Sequence, residues 1–268
     1  MIRRQGFYCF CGEVLMSEGV LVAVIIIGMV VLATALQRVT GMGFAMMLAP
    51  FLVVMVGPHS GVMLANVLGG VAPLLMLPMV WRYIEWRRLL WIAPAAVAVM
   101  PLFGWIAAIM PQGPLYIVVA SAVIIGLSIS LLFSRSSSQI DGTGTRLLTG
   151  VGAGAGVVLA GVGGPAMTVY AVISRWGVVS FAATMQPLWV LLSVTGLLTK
   201  VTFSGSEFPQ LPVWFWVGSL AAVIVGLFIG TKIRNRVSER LVRRVVIALA
   251  FLGAVLSLAT GITTTVTG

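Results

Sequence analysis

Charge is what this chain has least of. Only 8% of its 268 residues are Asp, Glu, Lys or Arg, against roughly 25% in a soluble domain. That is too little to cover a surface facing water. Acidic residues are scarcest: Glu13, Glu18, Glu85, Asp141, Glu207 and Glu239 are the full set. Histidine occurs once, at His59, and cysteine only at Cys9 and Cys11. Two cysteines two residues apart have poor disulfide geometry, and no metal-ligand spacing is completed elsewhere. Nothing supplies a Ser-His-Asp arrangement, a metal-ligand cluster or a phosphate-gripping loop. These absences argue against a membrane enzyme and an ATP-driven pump, and the chain is expected to need no cofactor and no metal. A proton relay of intramembrane carboxylates is missing as well.

Apolar runs are what the chain has. Hydrophobic residues make up 60% of it, and the mean hydropathy is +1.14. A spanning helix needs about 20 apolar residues. Gly19–Gln37, Ser60–Val80, Leu89–Met110, Leu115–Ser134, Val178–Thr199, Leu211–Thr231 and Val245–Thr265 all approach that length without a charge. Backbone amides in lipid must be paired internally, so such runs become helices. The alternation of a membrane barrel is absent. The expected class is an all-α polytopic membrane protein. Arg3 and Arg4 before an apolar stretch imitate a signal peptide, but Glu13 and Glu18 interrupt it and the span is too long, so an uncleaved first helix is expected.

The formal net charge of +10 could point to nucleic acid. Its carriers sit between apolar segments, where they orient the chain against an anionic leaflet. Membrane lipid is therefore the expected partner and nucleic acid is not. Trp81, Trp86, Trp91, Trp214 and Trp216 fall near span ends, as interfacial belts do. Met46, Met47, Met76 and Met79 read as packing residues.

Two halves of the chain match at an offset of 120 residues. Gly41-Met42-Gly43 pairs with Gly161-Val162-Gly163, Met47 with Met167, Gly57 with Gly177, and Asn66 with Gln186. Each half reads as an apolar arm, a Gly-rich break, a second short arm and three clean spans. The expected boundaries are an extension over 1–18, repeat one over 19–134, a Ser- and Gly-rich flexible linker over 135–145, and repeat two over 146–268.

Charge placement orients the halves. Arg82, Arg87 and Arg88 follow the first clean span, and the loop at 110–114 is uncharged. In the second half the loop over 200–210 carries only Lys200 and Glu207, whereas 232–244 holds six basic residues and one Glu, a net of +5. If positive loops face the cytoplasm, the repeats are inverted. That orientation needs a hairpin over 147–175, folded at Gly161-Val162-Gly163-Gly164. A parallel repeat of four plus four spans is the alternative.

The breaks carry the functional expectation. Gly161, Gly163 and Gly164 before Pro165 do not continue an ordinary helix, and a broken backbone at membrane depth must be covered by protein or line a water-filled cavity. A helix starting near Pro165 would aim free N–H groups and its positive dipole end at the break, an anion-binding arrangement. Gly41-Met42-Gly43-Phe44 would supply a second such end. The plain alternative is that these glycines let helices pack closely. Polar residues near the breaks are the candidate contacts: Gln37, Arg38, Thr40, Asn66, Thr168 and Gln186. The two amides could instead bridge helices, and Arg38 could reach to an interface.

The stretches Thr40–Pro50, with Gly41, Gly43 and Pro50, and Thr149–Tyr170, with Gly161, Gly163, Gly164 and Pro165, resemble the TauE/SafE family of sulfite and organosulfonate exporters. The layout resembles the family from about Gly19 to Gly261. The chain departs from it at Phe44, where the family commonly has another glycine. The resemblance implies transport of a small anion, often sulfur-containing, across a bacterial inner membrane. The resulting expectation is a secondary exporter with a small anionic substrate, and with a homo-oligomer open as an option. A non-transporting scaffold and a carboxylate transporter are the alternatives. Scarce acidic, His and Cys residues in the spans argue against a cation carrier.

Overall fold

The computed structural model describes residues 12–41, 43–133, 140–204, 211–233, 236 and 239–267. The described chain is helical throughout. The first half holds α1 (Gly12–Thr40), α2 (Phe44–Val56), α3 (Pro58–Val80), a 3₁₀ turn (Trp81–Tyr83), α4 (Trp86–Ile109) and α5 (Gln112–Phe133). The second holds α6 (Thr143–Ala160), α7 (Gly164–Ile173), α8 (Val178–Ser204), α9 (Val213–Ile233) and α10 (Glu239–Thr267). Among the described residues, six segments are long and apolar enough to span a membrane, in α1, α3, α4, α8, α9 and α10. The seventh expected span is α5, whose apolar core runs over Gly113–Ile125. The chain is a multi-pass helical membrane protein.

Several boundaries differ from expectation. Helix α1 begins at Gly12, inside the expected extension, while Cys9 and Cys11 lie outside the described residues. The basic loop is shorter than 232–244, because α9 runs to Ile233 and α10 starts at Glu239. Lys200, expected in a loop, lies within α8 and is completely buried. Apolar Val201 and Phe203 beyond it keep the helix going. Met79 is 66% exposed and does not pack, unlike Met46, Met47 and Met76.

Helix directions follow from close approaches. Positions where a Cβ on glycine would press on a neighbour pair Gly70 with Ser193 and Gly196 with Asn66, so α3 and α8 run antiparallel. Gly113 with Thr265 and Gly261 with Tyr116 make α5 and α10 antiparallel. By contrast, Gly218 with Ile27 and Gly230 with Arg38 make α9 parallel to α1. Gly150 with Ile92 and Gly104 with Val158 make α4 parallel to α6. Gly152 with Ala166 and Gly156 with Val162 fold α7 back along α6 as a hairpin. Helices α2 and α3 form another around Gly57, where Gly61 abuts Val53.

Two apolar cores result. One joins α1, α2, α3, α5, α9 and α10 through residues such as Val30, Leu48, Leu64, Val123, Phe215 and Ala250. The other joins α4, α6, α7 and α8 through Ile92, Met100, Val158, Met167, Met185 and Leu188. The second core is fastened at the C-terminal end of α3. Asp141 accepts from Tyr170 Oη at 2.7 Å, from Arg88 Nη2 at 3.0 Å and from Arg146 Nε at 3.1 Å. Arg88 also pairs with Glu85 at 3.1 Å and lies 4.6 Å from the Trp176 ring centre. Glu85 in turn accepts from Trp176 Nε1 at 2.8 Å. The end of the expected flexible linker is therefore anchored; residues 134–139 lie outside the described part.

Candidate functional site

Both breaks fall where the sequence places them, and for a backbone reason. Gly43, the N-cap of α2, sits at φ 117°, and Gly161, the C-cap of α6, at φ 69°. Side chains with a Cβ rarely adopt such angles. At the second break the N–H groups of Gly161 and Val162 close on the carbonyls of Val157 and Gly156, satisfying the end of α6. The chain then restarts at Gly164 with Pro165 in the first turn of α7, a position proline favours.

The helices that restart are short. Thirteen residues in α2 and ten in α7 span about 20 and 15 Å at 1.5 Å per residue, against about 30 Å of hydrocarbon. Their first turns meet. A Cβ on Gly164 would stand 2.9 Å from Met46 Sδ, and one on Gly161 3.1 Å from Ala49 Cβ. Between them lies a cavity of about 40 Å³ lined by Gln37, Gly43, Phe44, Asn66, Gly163 and Trp189, among others, room for a small ion or a few waters. Phe44, Ala45 and Met46 open α2 there, and Gly164 opens α7. First-turn N–H groups have no intrahelical partner, although Pro165 removes one donor from the second set. Asn66 is 3% exposed, and its Nδ2 has no hydrogen-bond partner among the described residues. Gln37 Oε1, on the same cavity, is also without a partner among the described residues. The side chains thus offer one donor and one acceptor, and it is the two helix N-termini that favour a negatively charged guest.

The expected site residues divide into groups. Gly43, Phe44, Asn66, Gly161, Gly163 and Gly164 come together at this cavity, with Gln37. Pro165 is buried behind it in α7. Thr168 is one turn further on, its hydroxyl donating to the Gly164 carbonyl at 2.9 Å. Arg38, Gly41 and Gln186 line a separate, wider cavity of about 320 Å³ with Thr40, toward the C-terminal end of α3. There Gln186 Nε2 donates to the Ala182 carbonyl at 2.7 Å, leaving its Oε1 unpaired, and Arg38 Nε donates to Thr231 at 3.0 Å. Asn66 and Gln186, matched in sequence, thus occupy different cavities.

Trp189 and Ser193 line the central cavity without having been singled out in the sequence, where an aromatic and a serine inside a clean span carry no distinguishing pattern. Lys200 lies on their face of α8: positions 189, 193, 196 and 200 follow the helical repeat.

Paired broken helices meeting at a buried, polar-lined cavity are an arrangement that solute carriers use. The model of the family described as Sulfite exporter TauE/SafE matches residues 25–257, and the chain belongs to that family of membrane transporters. No curated protein and no solved structure matches it.

Proposed function

We propose that the chain is a secondary transporter that exports a small anion of the sulfite or organosulfonate class across the bacterial cytoplasmic membrane. The carrying observation is the convergence of the α2 and α7 N-terminal turns on the unpaired Asn66 amide. The central cavity lies between the two apolar cores, with Phe44, Met46 and Ala65 from one and Val157 and Leu192 from the other. Rocking of one core against the other would expose the cavity to each side in turn. The wide cavity beside Arg38 is the approach from the cytoplasm in this reading.

An inverted repeat is supported by the helix directions. Helices α3 and α8, and α5 and α10, are counterparts in the two halves, and each pair runs antiparallel. A parallel repeat would make them parallel. The mirrored packing of α9 on α1 and α4 on α6 agrees. An inside-negative potential favours anion exit by about 2.3 kcal/mol per charge per 100 mV, so no intramembrane carboxylate is required.

The test is flux from proteoliposomes loaded with sulfite, sulfoacetate, taurine or a carboxylate control, under an imposed potential. Voltage-dependent efflux of a sulfur anion supports the proposal. Efflux of the carboxylate alone changes the substrate class, and no flux from folded protein overturns the transporter reading.

A further inference from the structure

Lys200 is 0% exposed, and its Nζ has no hydrogen-bond or ion-pair partner among the described residues. An uncompensated ammonium inside a membrane protein is costly, and such residues mark substrate or ion paths. Seven residues separate Lys200 from Ser193 on one face of α8, about 10 Å along the axis. Between them is Gly196, against which the Asn66 amide packs, 3.0 Å from where a Cβ would stand. Because α3 runs antiparallel to α8, the polar residue two turns from Asn66 toward that end is His59, in the first turn of α3 and beyond the apolar Val62 and Met63. The Nδ1 of His59 is likewise buried without a hydrogen-bond partner among the described residues. Glu85 and Asp141 are bound to their own partners beyond the other end of α3. The strip from the central cavity to the Gly57 end therefore presents an ammonium, an imidazole and an amide donor, with no described carboxylate to answer the ammonium.

We propose that Lys200, with His59 and Asn66, forms a second anion subsite between the central cavity and the Gly57 end of α3 and α8. The ligand is a small oxyanion, which supplies the counter-charge that no described residue gives Lys200. This rests on the anion-transport reading. It adds that the anion leaves the helix ends by stepping onto Lys200, whose flexible stem lets the ammonium reach toward either side.

The test compares wild type, Lys200→Met and Lys200→Arg in proteoliposomes with sulfite as probe, together with sulfite binding to the detergent-purified proteins and their thermal unfolding. For Lys200→Met, the maximal flux falls at least tenfold, binding at the central cavity changes less than threefold, and unfolding is no earlier than in wild type. Lys200→Arg keeps a measurable part of the flux, because it keeps the charge. Flux of Lys200→Met within twofold of wild type overturns the subsite while leaving the transporter reading intact. Lost flux accompanied by earlier unfolding in both variants makes Lys200 structural and also overturns it. Wild type that moves no sulfite, sulfoacetate or taurine removes the transport proposal itself, and this one with it.

Discussion

Gly164 and Met46 bring the two broken helices into contact, since a Cβ on Gly164 would stand 2.9 Å from the Met46 sulfur. The neighbour there is the end of a flexible side chain rather than backbone. Gly164→Ala should therefore fold normally but push Met46 into the cavity, lowering sulfite flux about tenfold. Adding Met46→Val, which lacks the sulfur, should restore much of it. Flux measured on the single and double variants decides, and an undiminished Gly164→Ala would remove the cavity from the transport path.

Asn66 offers the cavity an amide donor with no other partner. A hydrogen bond to a charged group contributes about 1.5–3 kcal/mol, so Asn66→Ala should weaken sulfite binding roughly tenfold or more. Asn66→Asp should weaken it further, because a carboxylate repels the anion. Calorimetric titration reads both, and an Asp variant binding as well as wild type would mean the guest is not anionic.

Asp141 is the hub of the fastening at the C-terminal end of α3. Burial alone would raise its pKa, but hydrogen bonds from Tyr170 and Arg146 and the charges of Arg88 and Arg146 outweigh that and hold it below the usual carboxylate range. A depressed folded-state pKa contributes stability that is present above the unfolded value, about 3.9. That contribution is lost as pH falls through the folded value. Thermal unfolding should thus shift downward on acidification below about pH 4. Asp141 is exposed, so solvent screens its ion pairs, and Asp141→Asn should lower stability by only about 0.5–1 kcal/mol near neutrality while flattening this part of the pH profile. A variant with the wild-type profile would show that the ion pairs contribute nothing net.

The helix directions place Gly144 and Arg236, both exposed, at one end of the bundle and Pro111 at the other. In a Cys9→Ser, Cys11→Ser background, cysteines at 144 and 236 should react with an impermeant maleimide from the cytoplasmic side only. A cysteine at 111 should react only from outside. Opposite sidedness of 144 and 236 would contradict the inverted arrangement.

Much of this architecture was legible because lipid narrows the choices. A charge-free run of 20 residues has one way to satisfy its backbone, so all seven clean spans are helices. The breaks were legible because glycine clusters next to proline have few uses inside such a run. The hairpin at Gly161–Gly164 followed from counting charges across the second half. Side-chain convergence was not legible. Asn66 and Gln186 match at the 120-residue offset, yet one faces the central cavity and the other does not. Lys200 read as a loop residue because a charge at the edge of an apolar run usually ends it. Only the packing of α8 against its neighbours shows that the helix continues with Lys200 buried.

The bonds around Asp141 all join parts of the second core: α4, α6, α7 and the turn before α8. None of them crosses to the first core, so none has to break for the two to move past one another. In the proposed rocking, displacement would be taken up where the cores touch, at α5 against α6 and α7 and at the seam where α3 meets α8. There Gly70 and Gly196 leave no bulk between the helices. In the proposed rocking those glycines would act as a bearing surface, and friction there would slow loaded and empty movements alike, whatever the substrate.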